Sequence, residues 1–273
     1  HESRGLGDVY KSQGIPSDRR GFDTIVFDCD STLTAVEGID ELARLRGRYG
    51  EVASLTDAAM NGELPLDDVY GRRLEMLAPS RSEVAAIADR YRRHAVPDAA
   101  AVIGALHESG KDVFIVSGGL LDAVGPFGAW LGVSGDHIRA VGIRYTPDSA
   151  GVDRYGDTEP TPLTGANGKS IVVRELLQGR PGRSLLVGDG ASDLVAAESV
   201  TCFVGFTGVV ERAAVVAAAD ALITGPALSP LLGLALTASE EEVLEDTSYR
   251  SLIDDGRTRI DGGELIIRRG TTR

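Results

Sequence analysis

Cysteine is scarce in this chain. Cys29 and Cys202 are the only two in 273 residues, too few for a disulfide framework and in keeping with a reducing compartment. Aromatics make up only 5% and histidines number four; His94, His107 and His137 show no metal-ligand spacing and are expected on the surface. Positive charge is also in deficit. Lys and Arg total 28 against 41 Asp and Glu, a net charge of −13, which argues against a nucleic-acid surface, and no basic tail is visible. No apolar run approaches the roughly 18 residues of a membrane span, and "LSPLLGLALTA" is short and contains proline. The polar start "HESRGLGDVYKSQGIPSDRRG" lacks a signal-peptide core, although His1 in place of an initiator methionine leaves room for residues ahead of it. Its "GLG" follows no strand and is no dinucleotide fingerprint. Internal repeats and low-complexity segments are not evident. These absences read together as a soluble cytoplasmic protein, with an acidity that suits hard cations.

What is present is a rhythm. The apolar runs "TIVFD" (24–28), "DVFIVSGG" (112–119), "SLLVGDG" (184–190), "CFVGF" (202–206) and "ALIT" (221–224) are apolar at successive positions rather than alternate ones. That pattern suits strands covered on both faces, as in a parallel sheet. Helical patterns lie between them: "DAAAVIGALHESG" before the second run, "GKSIVVRELLQG" before the third and "SDLVAAESV" after it. The alternation predicts an α/β fold with a doubly wound parallel sheet. One interval departs from it. Between Thr34 and Pro97 only helical patterns occur, in "GIDELARLRGRYG", "TDAAMNG", "LDDVYGRRLEMLA" and "SRSEVAAIADRYRRHA". In the last, Val84, Ile87 and Tyr91 share a face behind a capping-box signature. The expected organisation is an N-terminal extension over 1–21, a catalytic core over 22–33 and 98–239, a small helical cap over 34–97, and a C-terminal extension over 240–273. Residues 137–157 read as a hairpin or flap with turn residues at its tip, and "RTRIDGGELIIRR" as a second hairpin.

The chemistry concentrates in "TIVFDCDSTLT". Loops at the carboxyl ends of strands converge on the ligand crevice of an open α/β sheet. Asp28 and Asp30 are placed just past the first strand, Ser117 past the second and Asp189 past the third. Residues two apart in an extended segment face the same way, so both acids address one spot while Cys29 points away as a buried thiol. Three converging carboxylates need a cation, and Mg²⁺ with oxygen ligands is the usual choice beside a phosphate. A carboxylate is a covalent nucleophile for phosphoryl groups, and a second acid can move protons. Lys169 at a helix start, with Ser117, Gly118 and Gly119, offers charge and close-approaching amides to phosphoryl oxygens.

With "DCDST", "SGG", the lysine of "GKS" and "GDGASD" in this order, the chain resembles the haloacid dehalogenase superfamily of phosphohydrolases from about Phe22 to about Leu236. "EGIDELA", "AMNGELPLDDVYGRRL" and "GFTGVVER" bring it nearest to the phosphoserine phosphatases within it. The resemblance implies Asp28 as nucleophile and Mg²⁺ ligand, and Asp30 as general acid/base that also gives its backbone carbonyl to the metal. It further implies Asp189 as the third protein ligand, and Asp193 orienting either a metal-bound water or Lys169. Ser117, Gly118 and Lys169 would hold the phosphoryl oxygens, with Ser192 near the phosphate. Glu37 would meet a substrate ammonium, Arg73 a carboxylate, and Arg212 would help close the pocket. The implied reaction is hydrolysis of a small phosphorylated metabolite, O-phospho-L-serine first, by a monomer or homodimer. Leu66 stands where many relatives carry an aromatic pocket residue, which favours an alternative metabolite or phosphoryl transfer to another alcohol. A different class, the phosphorylatable signalling module, also uses strand-end acids, a Ser/Thr and a lysine, but it needs no helical cap. Met60 reads as cap core or pocket wall.

Overall fold

The structure is a computed structural model that describes residues 20–61 and 63–268, without the side chains of Met60, Leu66 and Asp68. The expectations for the N-terminal extension up to residue 19, and for the Leu66 and Met60 side chains, fall outside it.

The first strand, β1 (Thr24–Phe27), is buried at every position. Four helices follow before the next strand: α1 (Gly38–Leu45), α2 (Tyr49–Met60), α3 (Leu66–Leu77) and α4 (Arg81–Arg93). The run "GIDELARLRGRYG" is not one helix. The chain turns at Gly47, whose φ of +68° suits glycine, and α2 begins at Tyr49, taking in "TDAAM". The capping box forms as expected: Ser80 Oγ accepts from the Glu83 amide at 3.3 Å and Glu83 Oε2 accepts from the Ser80 amide at 2.7 Å. Val84, Ile87 and Tyr91 are buried along α4.

The chain then alternates. Helix α5 (Ala99–Glu108) leads into β2 (Asp112–Leu120), followed by α6 (Leu121–Trp130) and β3 (Ile138–Val141). Strands β4 (Ile143–Pro147) and β5 (Asp153–Thr158) pair antiparallel. Helix α7 (Gly168–Leu177) precedes β6 (Ser184–Gly188), α8 (Ala191–Ala196), β7 (Cys202–Phe206), α9 (Ala213–Ala218) and β8 (Ala221–Ile223). The end of the described chain holds α10 (Pro230–Ala235), α11 (Ala238–Glu245), α12 (Arg250–Asp261) and β9 (Leu265–Ile267).

Among the described residues, seven strands form the main sheet in the order β3-β2-β1-β6-β7-β8-β9. All neighbours run parallel except β8 and β9. The order grows one way from β1 through β2 to β3 and the other way from β6 through β7 to β8. The switch point therefore lies between β1 and β6, where such sheets bind ligands.

Two expectations are corrected. Within 137–157 only β4 and β5 make a hairpin, because β3 pairs parallel with β2 in the main sheet. The C-terminal "RTRIDGGELIIRR" is not a hairpin. Its first half belongs to α12, where Ile253 and Gly256 are buried at helical spacing, and its second half is β9, which pairs antiparallel with β8. The "DGG" signal marks the stop of a helix rather than a two-residue hairpin turn.

Candidate active site

Asp28 follows β1 directly, and its amide donates to the Val187 carbonyl at 2.9 Å, which ties it to the neighbouring strand β6. Lys169, on the first turn of α7, sets its ammonium 2.8 Å from Asp28 Oδ1 and 2.7 Å from Asp193 Oδ1. The other oxygen of Asp193 accepts from the Gly190 amide at 3.0 Å. Of the two roles expected for Asp193, its contact is with Lys169. Asp189 leaves the end of β6 and is held by the Thr32 hydroxyl at 3.0 Å and Arg212 Nε at 3.2 Å. Arg212 also donates to Asn61 Oδ1 at 3.2 Å, so it links the end of α2 to the core by way of Asp189. It is buried, and does not lie on the cavity wall.

Asp30 faces the helices between β1 and β2. Its Oδ1 accepts from the Gly38 amide at 2.9 Å and the Tyr91 hydroxyl at 2.5 Å. Ser117 lies inside β2 rather than past its end, at a shift of register between Val116 and Leu120. Its Oγ accepts from the Gly119 amide at 2.9 Å. Gly119 has no room for a side chain, since a Cβ there would sit 2.9 Å from Asp30 Oδ2. Above this floor, Tyr70 of α3 donates to the Gly118 carbonyl at 2.7 Å.

One cavity is lined by Asp28, Asp30, Glu37, Arg73, Ser117, Gly118, Lys169 and Ser192 among others. Glu37 stands just ahead of α1 and accepts from the Ser31 hydroxyl at 2.7 Å. Arg73 is 3% exposed and donates to Thr56 Oγ1 at 3.0 Å, while its buried Nε has no partner. Thr56 also bonds Asp40 Oδ1 at 2.9 Å, so Asp40, Thr56 and Arg73 form a relay into the cavity. Sequence reasoning did not single out Thr32, Asp40, Thr56 or Tyr70. Tyr91 was read only as part of a buried helix face. Their chemistry depends on contacts between sequence-distant elements that spacing along the chain does not encode.

The electrostatics follow from burial. Asp28 holds its proton well above the usual carboxylate range, because burial and then Asp193 outweigh Lys169. Burial likewise raises Asp30, against the bonds from Tyr91 and Gly38. Glu37 is pushed up to about 8 by burial and by the charges of Asp30 and Asp189. Asp189 is raised to about 6 by burial and Asp193, with Arg212 opposing. Burial alone would lower Lys169, but Asp193 and Asp28 outweigh it and hold the ammonium charged. Burial pushes the Cys29 thiol up as well, so it is the inert buried thiol expected.

Carboxylate oxygens of Asp28, Asp189 and Asp193 lie within 4.8 Å of one another. The donors are all oxygen, and two of these acids are pushed toward protonation by burial and by the charge of Asp193. Such a set fits a hard divalent cation. The side chain that joins Asp28 and Asp189 here is Asp193, whereas the Asp30 carboxylate is bonded to Tyr91 of α4.

The comparisons with known proteins agree with this geometry. The family model described as haloacid dehalogenase-like hydrolase matches residues 25–198. The chloroplastic phosphoserine phosphatase of Arabidopsis thaliana is 32% identical over 220 residues, covering 80% of this chain and 74% of that protein. The phosphoserine phosphatase of Rattus norvegicus is 33% identical over 193 residues, covering 70% and 84%. A solved phospho-aspartyl intermediate analogue of phosphoserine phosphatase superposes with a TM-score of 0.68 at 27% identity, over 78% of this chain and 98% of that one. The chain belongs to the haloacid dehalogenase-like hydrolases and is, within them, a hydrolase of the phosphoric monoester class.

Proposed function

We propose that the protein hydrolyses O-phospho-L-serine through a phosphorylated Asp28, with Mg²⁺ bound. The observation that carries this reading is the cavity itself: Asp28 and Lys169, in contact at 2.8 Å, share its walls with half-buried Glu37 and buried Arg73. Asp28 attacks phosphorus; its carboxylate oxygen forms the new bond as the ester oxygen departs. Asp30 gives that oxygen a proton, then takes one from the water that attacks the acyl phosphate, which frees phosphate and restores Asp28. Ser117, the Gly118 amide and Lys169 hold the non-bridging oxygens, with Ser192 beside them. Mg²⁺, held by Asp28, Asp189 and the Asp30 carbonyl, would neutralise the acids and polarise the phosphoryl group. Asp193 keeps Lys169 aimed at Asp28.

The leaving group is assigned from the cap. The unpartnered Arg73 Nε is a buried donor that a carboxylate would satisfy. Glu37 is close to neutral in the free cavity, and an ammonium at its side would restore its charge. On this reading residues 34–97 act as the cap over a core of 22–33 and 98–239, closing to exclude water. Arg212 helps closure through Asn61. We place the enzyme in the cytoplasm as a monomer or homodimer; among the described residues no helix is long and apolar enough to cross a membrane.

Arg73→Ala is the test. Loss of a buried charge-assisted contact costs about 3 kcal/mol, so KM for phosphoserine rises on the order of 100-fold. KM for a neutral alkyl phosphate such as ethyl phosphate stays within about two-fold, because that ester never used the contact. Equal losses on both esters in steady-state assays would refute the zwitterion assignment.

A further inference from the structure

We propose that Tyr91 is a positioning residue for Asp30: its hydroxyl, together with the Gly38 amide, fixes one carboxylate oxygen so that the other faces the phosphoryl site. This rests on the reading of Asp30 as the general acid/base. Both donors reach Oδ1, Tyr91 at 2.5 Å and Gly38 at 2.9 Å. Oδ2 points toward Gly119 of β2, where a Cβ would lie 2.9 Å from it and 3.1 Å from Ser117 Oγ. Oδ2 is therefore the oxygen beside the phosphoryl cradle. A carboxylate held by two donors on one oxygen keeps a single rotamer, which is what proton transfer at a defined atom needs.

The sequence around Asp30 is built for this contact. Tyr91 is fully buried in α4, its ring 5.4 Å from that of Phe127. A buried hydroxyl must find a partner, and the one it finds is Asp30. Gly38 leaves the space for it: a Cβ there would sit 2.1 Å from the Tyr91 hydroxyl oxygen. Glycine at a helix start is otherwise unremarkable, and here it has a defined steric reason. Both donors lie between β1 and β2, in the segment that roofs the cavity, so Asp30 is oriented only when that segment is seated. Cap seating and the aim of the acid are one event.

The experiment uses Tyr91→Phe, which keeps the ring and removes the hydroxyl. It is measured in single-turnover mixing with two esters. O-phospho-L-serine needs a proton on its departing oxygen, whereas p-nitrophenyl phosphate does not. Cleavage of phosphoserine falls about 10-fold with its half-saturating concentration within about two-fold, and release of p-nitrophenol stays within about two-fold. Gly38→Ala, which displaces the hydroxyl while leaving Tyr91 in place, gives the same split. Equal slowing of both esters in Tyr91→Phe would mean a merely structural role and overturn the proposal. So would wild-type rates in Tyr91→Phe while Asp30→Asn shows the split. Asp30→Asn without any split would overturn instead the acid role of Asp30, and the proposal with it.

Discussion

At the scale of single residues, the site is a buried imbalance of charge. Asp28, Asp30, Glu37, Asp189 and Asp193 share a small volume with Lys169, Arg73 and Arg212. Lys169 and Arg212 neutralise in part, and burial first, then the surplus negative charge, raises proton affinity. Glu37 goes from 4.5 to about 8 and Asp189 from 3.8 to about 6. Both are raised acids, so the folded protein keeps protons that the unfolded chain has released, and stability falls as pH rises. The window runs from about pH 4 to 8. His107 works the other way, since burial lowers it from 6.5 and stability then gains with pH. A Glu37→Gln variant isolates the first effect. Urea melts of metal-free protein are expected to show stability declining between pH 5 and 8, by up to about 1.4 kcal/mol per pH unit for each extra proton held. The decline is shallower in Glu37→Gln. Identical slopes in the two proteins would show that Glu37 is not held protonated.

At the scale of elements, the sequence was most readable where chemistry sits on a strand end. Asp28, Asp189 and Lys169 needed only the strand–helix rhythm to be brought together. Ser117 was one step off, because a register shift in β2 keeps it inside the strand. Elsewhere turn chemistry misled. "DGG" reads as a hairpin tip but ends α12, and no glycine marks the end of α3. Ala78 takes that place with φ of 40° and ψ of 55°, a left-handed conformation that glycine adopts more readily. The β4–β5 hairpin grips the same turn, for the Tyr155 amide donates to the Pro79 carbonyl at 2.8 Å and Arg154 Nη1 to the Ala78 carbonyl at 3.4 Å. Ala78→Gly relieves the strained residue and is expected to stabilise by about 0.5–1 kcal/mol in denaturant melts. A loss of stability would mean that the grip, not the residue, sets this conformation at no cost.

At the scale of the whole molecule, the sheet order puts β1 between β2 and β6, so three sequence-distant loops meet at one crevice. The four helices that follow β1 roof it through contacts from Tyr70, Asn61 and Tyr91. Those contacts are long-range, which is why the crevice was legible in the sequence and the fastening of its roof was not. A net charge of −13 repels a phosphate ester from the molecule at large. On the proposed reading, binding rests on local positive charge at Lys169 and Arg73, and on the cation the acids would gather. On the proposed mechanism, all of this serves one bond, between Asp28 and phosphorus. The direct test is to quench the enzyme in acid during turnover of phosphoserine with Mg²⁺, reduce with borohydride, and map the peptides by mass spectrometry. The account predicts homoserine at position 28, and none after treatment with chelator; an unmodified Asp28 under turnover, or phosphate on Ser117 or another side chain, would contradict it.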